Sequence, residues 1–231
     1  MDSLRIFIGW DSREDIAYQV ARQSILDNAS IPVEIRPIKL SQLVGDGIYT
    51  RDIDPLASTE FTYSRFLTPH LAGFEGWALF CDCDFLFFGD VANLAKFMHE
   101  KFAVACVKHD YTPSNAVKMD GKVQAQYPRK NWSSFMLFNC AHPSTRQVTV
   151  ERVNQETGAY LHRMQWADDS EIGEIPVVWN WLEGWNEPPL GCRPEAVHFT
   201  NGGPWFEEWQ NVAFADEWKA LAARVEGRVG Q

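Results

Sequence analysis

The sequence predicts an α/β fold in which a mixed, mostly parallel β-sheet is flanked by helices. Strand-like and helix-like segments alternate along the first half of the chain, which is the pattern of βαβ units. Several predicted strands are short, wholly apolar runs, as expected for strands buried on both faces. The 231 residues suit one domain, and 45% hydrophobic with 23% charged residues is the ordinary mixture of a globular protein.

The predicted elements follow one another with short connections. A strand over Leu4–Ile8 ends at Gly9-Trp10-Asp11, and Ser12 is expected to cap a helix whose apolar residues have helical spacing. A second strand is predicted over Pro32–Leu40 and a short helix over Phe61–Leu71. The remaining elements are three apolar strands, a helix capped by Asp90 and a C-terminal helical segment: Trp77–Cys81, Phe102–Val107, Ser134–Phe138, 90–98 and 207–229.

Composition narrows the classes of partner and location. The net charge of −10 argues against a broad nucleic-acid-binding surface. No apolar run approaches the roughly 20 residues of a membrane-spanning helix, and the first residues lack the features of a signal peptide. The 5 cysteines lie mostly in apolar surroundings, which favours reduced thiols over a disulfide framework. We therefore expect a cytoplasmic protein with no transmembrane segment and no nucleic-acid partner.

Two carboxylates, Asp82 and Asp84, stand inside the otherwise apolar run Leu79–Phe88. Burying an unpaired carboxylate is costly, so both must emerge where solvent or a cation reaches them. Ligands of open α/β sheets bind at the carboxyl ends of strands, and in extended chain residues i and i+2 face the same way, about 6–7 Å apart. This spacing suits Mg²⁺ or Mn²⁺ bound together with a diphosphate. The plainer alternative is an acid pair that caps the next helix or pairs with Arg.

Two other chemistries begin with a similar pattern. Phosphohydrolases of the haloacid dehalogenase type resemble this stretch, because they carry D-x-D after an apolar strand and use the first Asp as the nucleophile. Their motif continues to a Thr where Leu86 stands here, and it usually follows the first strand of the chain. A nucleotidyltransferase also combines an α/β sheet with metal-binding acids, but Gly9–Arg13 is a poor match to its Gly-rich, basic loop.

The chain as a whole resembles the GT-A glycosyltransferases, and within them family 8 and its bacterial relatives. The resemblance consists of six short motifs in the same order, spread over most of the chain. They are Ile6–Asp11, Phe61–Phe66, Asp82-Cys83-Asp84, Ser133–Asn139, Asp168-Asp169 and His198–Trp205. The resemblance implies a GT-A-type single domain and a metal-dependent transferase that takes a sugar from a nucleotide-sugar donor. It further implies a UDP-hexose donor and retention of the anomeric configuration.

The resemblance implies a role for each motif. Asp82, Asp84 and His198 would bind the metal, and an imidazole ligand favours Mn²⁺ over Mg²⁺. Asp168 and Asp169 would be the catalytic pair beside the transferred sugar. The residues expected to bind the nucleotide or the donor sugar are Gly9, Trp10, Asp11, Arg65, Asp82, Ser133, Ser134, Gly202 and Gly203.

Three departures from the family pattern bear on the site. Trp132-Ser133-Ser134 stands where the family has N-A-G, and Asp169 stands where an amide is usual. Gly203 stands where the family has a Lys that grips the diphosphate. The sequence offers four residues that could supply the missing positive charge and does not choose among them: Arg65, Lys108, Arg129 and Lys130.

Each candidate also has an ordinary structural explanation. His198 could be a core histidine, Arg65 part of a surface salt bridge, and Gly202-Gly203 a simple turn. Asp11 and the pair Asp168-Asp169 could be helix caps. A nucleotide-sugar-binding or carbohydrate-binding protein without turnover is therefore the alternative to an enzyme.

Residues 1–231 are expected to form a single GT-A-like domain. Its nucleotide-binding half would span about 1–107, and its acceptor and donor-sugar half about 108–231. The polar insertion 108–131, which contains Lys108, His109, Tyr127, Arg129 and Lys130, is a candidate lid or acceptor loop. The acceptor would be a saccharide, a lipid-linked group or a protein.

Overall fold

The structure is a computed structural model that describes residues 3–54, 57–110, 129–187 and 191–229. Its strands are β1 (Leu4–Trp10), β2 (Val33–Lys39), β3 (Trp77–Cys81), β4 (Phe85–Phe87), β5 (Val104–Cys106), β6 (Phe135–Asn139), β7 (Ile172–Glu174), β8 (Trp181–Leu182) and β9 (Ala196–His198). Its α-helices are α1 (Asp15–Asn28), α2 (Leu40–Gly45), α3 (Thr68–Leu71), α4 (Pro143–Arg146), α5 (Val150–Gln155), α6 (Gly158–His162) and α7 (Ala215–Val229). Short 3₁₀-helices cover Ser64–Leu67, Val91–Phe97, Trp132–Ser134, Asp169–Glu171, Val177–Trp179 and Glu207–Trp209.

The larger sheet has the strand order β2-β1-β3-β6-β5-β7. β1 pairs in parallel with β2 and β3, and β5 pairs in parallel with β7, whereas β6 runs antiparallel to β3 and β5. The predicted mixed, mostly parallel sheet is therefore confirmed. Ile8 is level with Cys81, and Cys81 with Phe135. The carboxyl ends of β1 and β3 thus meet the amino end of β6, and we call this the site end of the sheet.

Apolar side chains explain why β3 and β6 lie in the middle of this sheet. Every residue of the segments 78–81 and 135–138 is 0% exposed. A strand covered on both faces needs consecutive apolar residues, and both segments have them. Helix α1 faces the core with Ala17, Val20 and Ala21.

A smaller sheet, with the order β4-β9-β8, lies beside the site end. β4 follows β3 after only three residues, Asp82–Asp84, and pairs antiparallel with β9, so that Phe85 lies opposite His198. The amide of Phe199 donates a hydrogen bond to the carbonyl of Asp84 at 2.9 Å. This pairing holds the end of β9 against the loop that carries the two acids.

Helix α7 packs back onto the body of the protein, as the sequence predicts. Its residues Trp218 and Leu221 belong to an apolar cluster with Val20 of α1 and Leu86 of β4. Within the described ranges, none of the helices combines the length and the apolar character that crossing a lipid bilayer requires. The 5 cysteines are free thiols, as expected, and Cys192 is the exposed one.

The structure tests the two residues that were predicted to cap helices, Asp90 and Ser12. Asp90 is confirmed as a cap, since its side chain accepts a hydrogen bond from the amide of Ala92, although the helix it starts is a 3₁₀-helix. The prediction for Ser12 is wrong, because α1 begins only at Asp15 and Glu14 occupies the N-cap position. The carboxylate of Asp11 accepts a hydrogen bond from the Arg13 amide and so forms a turn between β1 and α1. The hydroxyl of Ser12 donates to the carboxylate of Glu60 and does not cap the helix.

Candidate functional site

Three potential metal ligands converge at the site end of the sheet. One ligand atom each from Asp82, Asp84 and His198 lies within 4.8 Å of the other two. Both acids follow the buried strand β3, and His198 ends β9, whose pairing with β4 turns its ring toward the acids. Its Nε2 atom lies 3.3 Å from Oδ2 of Asp84. Two carboxylates and an imidazole form a donor set that fits a divalent cation.

Arg65 contacts this cluster directly. Its Nη1 atom donates to Oδ1 of Asp82 at 2.7 Å and to the carbonyl of Ser133 at 2.9 Å. The side chain is only 6% exposed, so the alternative of a surface salt bridge does not describe it. The amide of Asp82 in turn donates to the carbonyl of Ser134 at 3.0 Å. The structure therefore brings Arg65, Ser133 and Ser134 to the metal cluster, as the sequence predicts for neighbours of one site.

The hydroxyls of Ser133 and Ser134 are both engaged within the protein. The Ser133 hydroxyl lies 2.7 Å from Nδ1 of His162. Burial of the His162 ring and the charge of Arg65 lower the pKa of this histidine to about 3, against a hydrogen bond to the Thr62 backbone. His162 is therefore neutral and accepts from Ser133. The Ser134 hydroxyl faces the other way and donates to the carbonyl of Asn131 at 2.7 Å.

The loop after β1 is tied to the segment before Phe61. A Cβ atom at Gly9 would lie 2.4 Å from the Phe61 ring, so this position requires glycine. The buried carboxylate of Asp11 accepts hydrogen bonds from Arg13 and from the Glu60 amide. Burial raises the pKa of Asp11, but these bonds outweigh it and hold the pKa below its usual value. Asp11 orders this loop, and its contact with a base or ribose stays a prediction.

Trp10 is the last residue of β1, directly before this loop, and is partly buried. Its Nε1 atom donates to Oδ1 of Asp15 at 2.6 Å, and the ammonium group of Lys39 lies 4.3 Å from the centre of its ring. These contacts hold the indole at the start of α1. Its predicted contact with the nucleotide remains a prediction.

Gly202 and Gly203 form a turn directly after β9. The amide of Gly202 donates to the carbonyl of Phe199 at 2.9 Å, and the φ angle of Gly202 is 143°, which favours glycine. A Cβ atom at Gly203 would lie 1.9 Å from a ring carbon of Trp205. The indole thus occupies the space of a side chain at position 203, which is the physical reason why this chain cannot carry the family Lys there.

Asp168 and Asp169 come shortly before β7, and among the described residues neither belongs to the metal-ligand group of Asp82, Asp84 and His198. Ile172 is level with Val104, Val104 with Phe138, and Phe138 with Ala78, so β7 begins at the end of the sheet away from Asp82. The side chain of Asp169 is 84% exposed and forms an ion pair with Arg129. The amide of Asp168 donates to Oε2 of Glu171 at 3.1 Å, as at a helix start. The catalytic role of this pair remains a prediction.

The four basic residues proposed in place of the family Lys have different surroundings. Arg65 contacts the cluster itself. Arg129 pairs with Asp169 and donates to the carbonyl of Arg163 at 2.7 Å. The ammonium of Lys108 lies 5.8 Å from the centre of the Trp132 ring, and Lys130 is buried. Tyr127 and residues 111–128 of the insertion lie outside the described residues.

Two functional neighbours of the cluster were not predicted from the sequence. Asn180, which is 0% exposed, lies 2.9 Å from His198, and its only sequence signal is that it is a polar residue in an apolar run. Glu14 is 4% exposed and lies 3.8 Å from the thiol of Cys83. Burial, followed by the charges of Asp84 and Asp11, raises the pKa of Glu14 to about 8. In sequence it looks like any acid at a helix start.

Comparisons with known proteins bear on the family and the fold. No protein-family model matches the chain. Protein CDI of Arabidopsis thaliana is 55% identical over 217 residues, which make up 93% of this chain and 84% of the relative.

Solved glycosyltransferases share the architecture. GlyE of Streptococcus pneumoniae gives a TM-score of 0.63 at 14% identity over 96% of this chain and 60% of its own. The bifunctional glycosyltransferase WbbM gives 0.60 at 16% identity over 96% of this chain and 50% of its own. The galactosyltransferase LgtC, solved with donor and acceptor sugar analogues, gives 0.60 at 12% identity over 96% of both chains. This chain thus spans half to three fifths of the length of the first two. The predicted GT-A fold is confirmed, rather than a haloacid dehalogenase fold.

Proposed function

The chain belongs to the same family as Protein CDI of Arabidopsis thaliana, and we propose that it is a metal-dependent glycosyltransferase that uses a nucleotide-sugar donor. The observation that carries the proposal is the cluster of Asp82, Asp84 and His198 on a GT-A fold. His198 is distant in sequence from the two acids, and two separate sheets are needed to bring it beside them. Two neighbouring, partly buried carboxylates repel each other and lower the stability of the fold. The arrangement is therefore better explained by a bound cation than by a structural role.

The donor set fits a divalent cation, with carboxylate oxygens from Asp82 and Asp84 and Nε2 from His198. A cation held there would neutralise charge on the departing diphosphate and orient it. Mn²⁺ is the proposed ion, because an imidazole ligand suits it better than Mg²⁺.

Arg65 is proposed to supply the second positive charge, in place of the Lys that is missing at position 203. Its guanidinium lies beside Asp82 and is oriented by the carbonyl of Ser133. A guanidinium offers several donors in a fixed plane, which suits phosphate oxygens. Because it is already buried and oriented, it would need little reorganisation as charge develops on the diphosphate.

The finer assignments rest on the family resemblance. We propose a UDP-linked hexose as the donor and retention of the anomeric configuration, and the galactosyltransferase among the structural neighbours supports a hexose. Asp168 and Asp169 are proposed as the catalytic acids beside the transferred sugar. The acceptor is proposed to be a saccharide, a lipid-linked group or a protein.

The test is turnover of donors. Purified protein is incubated with UDP-, GDP-, ADP- and CMP-linked sugars, with Mn²⁺ or with a chelator, and the released nucleotide is measured. We expect slow hydrolysis of one donor class that requires the metal, and Asp84→Asn should abolish it. The control is Asp46→Asn, which changes an exposed acid after α2 and should hydrolyse the donor like the unchanged protein. Donor binding with no metal-dependent turnover would favour the non-catalytic alternative.

A further inference from the structure

Both ring nitrogens of His198 have polar neighbours, although the residue is only 2% exposed. Nε2 lies 3.3 Å from Oδ2 of Asp84, on the side of the acid cluster. Nδ1 lies 2.9 Å from the side-chain oxygen of Asn180. In a neutral imidazole one nitrogen donates and the other accepts. The partner of Nδ1 therefore decides whether Nε2 faces the cluster with a lone pair or with a proton.

The side-chain amide of Asn180 is oriented by three neighbours, Ser134, His198 and His109. Its Nδ2 atom donates to the hydroxyl oxygen of Ser134 at 2.9 Å. The hydrogen of that hydroxyl is used on the carbonyl of Asn131 at 2.7 Å, so the Ser134 oxygen acts as an acceptor toward Asn180. Turning the amide over would set its oxygen against the Ser134 oxygen, so that the Ser134 hydroxyl would have to give up its bond to the carbonyl of Asn131. The oxygen of Asn180 therefore faces His198 and accepts from Nδ1–H.

We propose that Asn180 is a positioning residue that holds His198 in the tautomer with the proton on Nδ1, so that the lone pair on Nε2 points toward the cation position. The inference deepens the proposed function and rests on it for the identity of the cation. Ser134 and the carbonyl of Asn131 complete the chain of hydrogen bonds that transmits this orientation. Ser134 thereby has a role on the metal side of the site, in addition to the donor contact predicted for it.

An amide suits this position beside His198 better than a carboxylate would. The loop already carries Asp82 and Asp84, and the carboxyl group of Glu14 is buried behind it. A further buried anion would add repulsion that a neutral amide avoids, while its oxygen still accepts the hydrogen bond from the ring. The expected consequence concerns metal affinity, since the loss of such outer partners typically weakens binding about tenfold to a hundredfold.

The first test uses the unchanged protein without metal. Nitrogen-15 NMR of labelled histidines distinguishes a protonated from an unprotonated ring nitrogen, and loss of one signal set in His198→Gln assigns the residue. We expect Nδ1 to carry a proton; the state of Nε2, which faces the carboxylate of Asp84 at 3.3 Å when no cation is present, does not decide the inference. The opposite tautomer, or a rapid mixture of the two, would overturn the inference whatever the protein catalyses.

The second test measures Mn²⁺ affinity by calorimetry. Asn180→Leu should weaken binding about tenfold or more. In a His198→Ala background Asn180→Leu should cause no further loss, because its effect passes through the ring. Asn154→Leu is the control for a lost side-chain amide elsewhere, since the partly buried Asn154 bonds to Ile48 and Val150 away from the cluster.

The outcomes separate the two proposals. Full Mn²⁺ affinity in Asn180→Leu, or an equal loss in the His198→Ala background, would overturn the role of Asn180 and leave the metal site standing. Absence of Mn²⁺ binding in the unchanged protein would instead contradict the proposed metal dependence, while the tautomer measured without metal still decides the contact between Asn180 and His198.

Discussion

The guanidinium of Arg65 lies 2.7 Å from the carboxylate of Asp82, and the two side chains are only 6% and 13% exposed. Arg65 belongs to the 3₁₀-helix Ser64–Leu67, and Asp82 begins the loop after β3. The pair joins these elements and, through the carbonyl of Ser133, the segment before β6. It also means that one metal-ligand candidate carries its own counter-ion before any cation arrives.

Arg65→Ala should therefore destabilise the metal-free protein strongly. Removing one partner of a buried ion pair leaves the other charge uncompensated and costs about 3–5 kcal/mol. Mn²⁺ should restore part of the loss, because it supplies positive charge beside Asp82. Urea unfolding with and without Mn²⁺ measures both effects.

Arg36→Ala is the matched control: its ion pair with Glu34 is exposed, and its removal should cost about 0–1 kcal/mol. Similar losses in the two variants would contradict the structural role of the buried pair.

Gly203→Ala should destabilise the protein because the new methyl group would overlap the indole of Trp205. Forcing extra volume into a packed site typically costs about 1–3 kcal/mol. Gly203→Lys, which restores the residue of the family pattern, should be at least as costly. The control is Gly227→Ala in α7, where nothing lies within 4 Å of the added atom and a gain of roughly 0.5–1 kcal/mol is expected. Thermal denaturation measures these changes in stability. Unchanged stability of Gly203→Ala would contradict the prediction and show that Trp205 moves away freely.

Glu14 should make the metal-free protein less stable as pH rises. Burial raises its pKa to about 8 from the usual 4.5, so between these pH values the folded state holds a proton that the unfolded state has lost. This contribution to stability is complete below pH 4.5 and is lost as pH rises to about 8. One such group changes stability by up to about 1.4 kcal/mol per pH unit.

Glu14→Gln should remove this decline, since its amide cannot ionise. The measurement is the free energy of unfolding at several pH values, compared between the variant and the unchanged protein. Mn²⁺ should flatten the curve of the unchanged protein as well, because it offsets the charge of Asp84 that helps to raise the pKa. Parallel curves for the two proteins would contradict the raised pKa of Glu14.

His162 should act in the opposite direction at acid pH. Its pKa is lowered to about 3 from 6.5 by burial and by the charge of Arg65, so the unfolded state takes up a proton first as pH falls. Its contribution is complete above pH 6.5 and is lost as pH falls toward 3. His162→Gln should reduce this acid sensitivity, whereas His99→Gln, at an exposed histidine, should leave it as it was. An acid transition of His162→Gln identical to that of the unchanged protein would contradict the assignment.

The strands of the site were predictable because their signal is local. The run Trp77–Cys81 is apolar at every position except its cysteine, which is what a central strand requires, and the two acids after it mark where it leaves the core. The glycine at position 9 and the turn at 202–203 were visible for the same reason. The family resemblance, rather than periodicity, drew attention to His198.

Other features depend on tertiary register, which a single sequence does not encode locally. Asp168 and Asp169 match a motif, but the pairing of Ile172 with Val104 starts β7 at the far end of the sheet. The role of Asn180 follows from the meeting of three separate segments at His198, and the raised pKa of Glu14 follows from burial beside Asp84. The division into halves at about residue 107 stays a prediction.

The central claim is that Asp82 and Asp84 hold a nucleotide-sugar donor through a divalent cation, and thermal stability tests it most directly. The protein is heated with UDP-, GDP-, ADP- or CMP-linked sugars, with and without Mn²⁺, beside a variant with Asp82→Asn and Asp84→Asn. A ligand at 100 times its dissociation constant should stabilise the fold by about 2.7 kcal/mol. We predict that one nucleotide class stabilises only with the metal and that the variant loses this effect. Equal stabilisation of both proteins, or stabilisation by phosphate or unlinked sugar alone, would contradict the account.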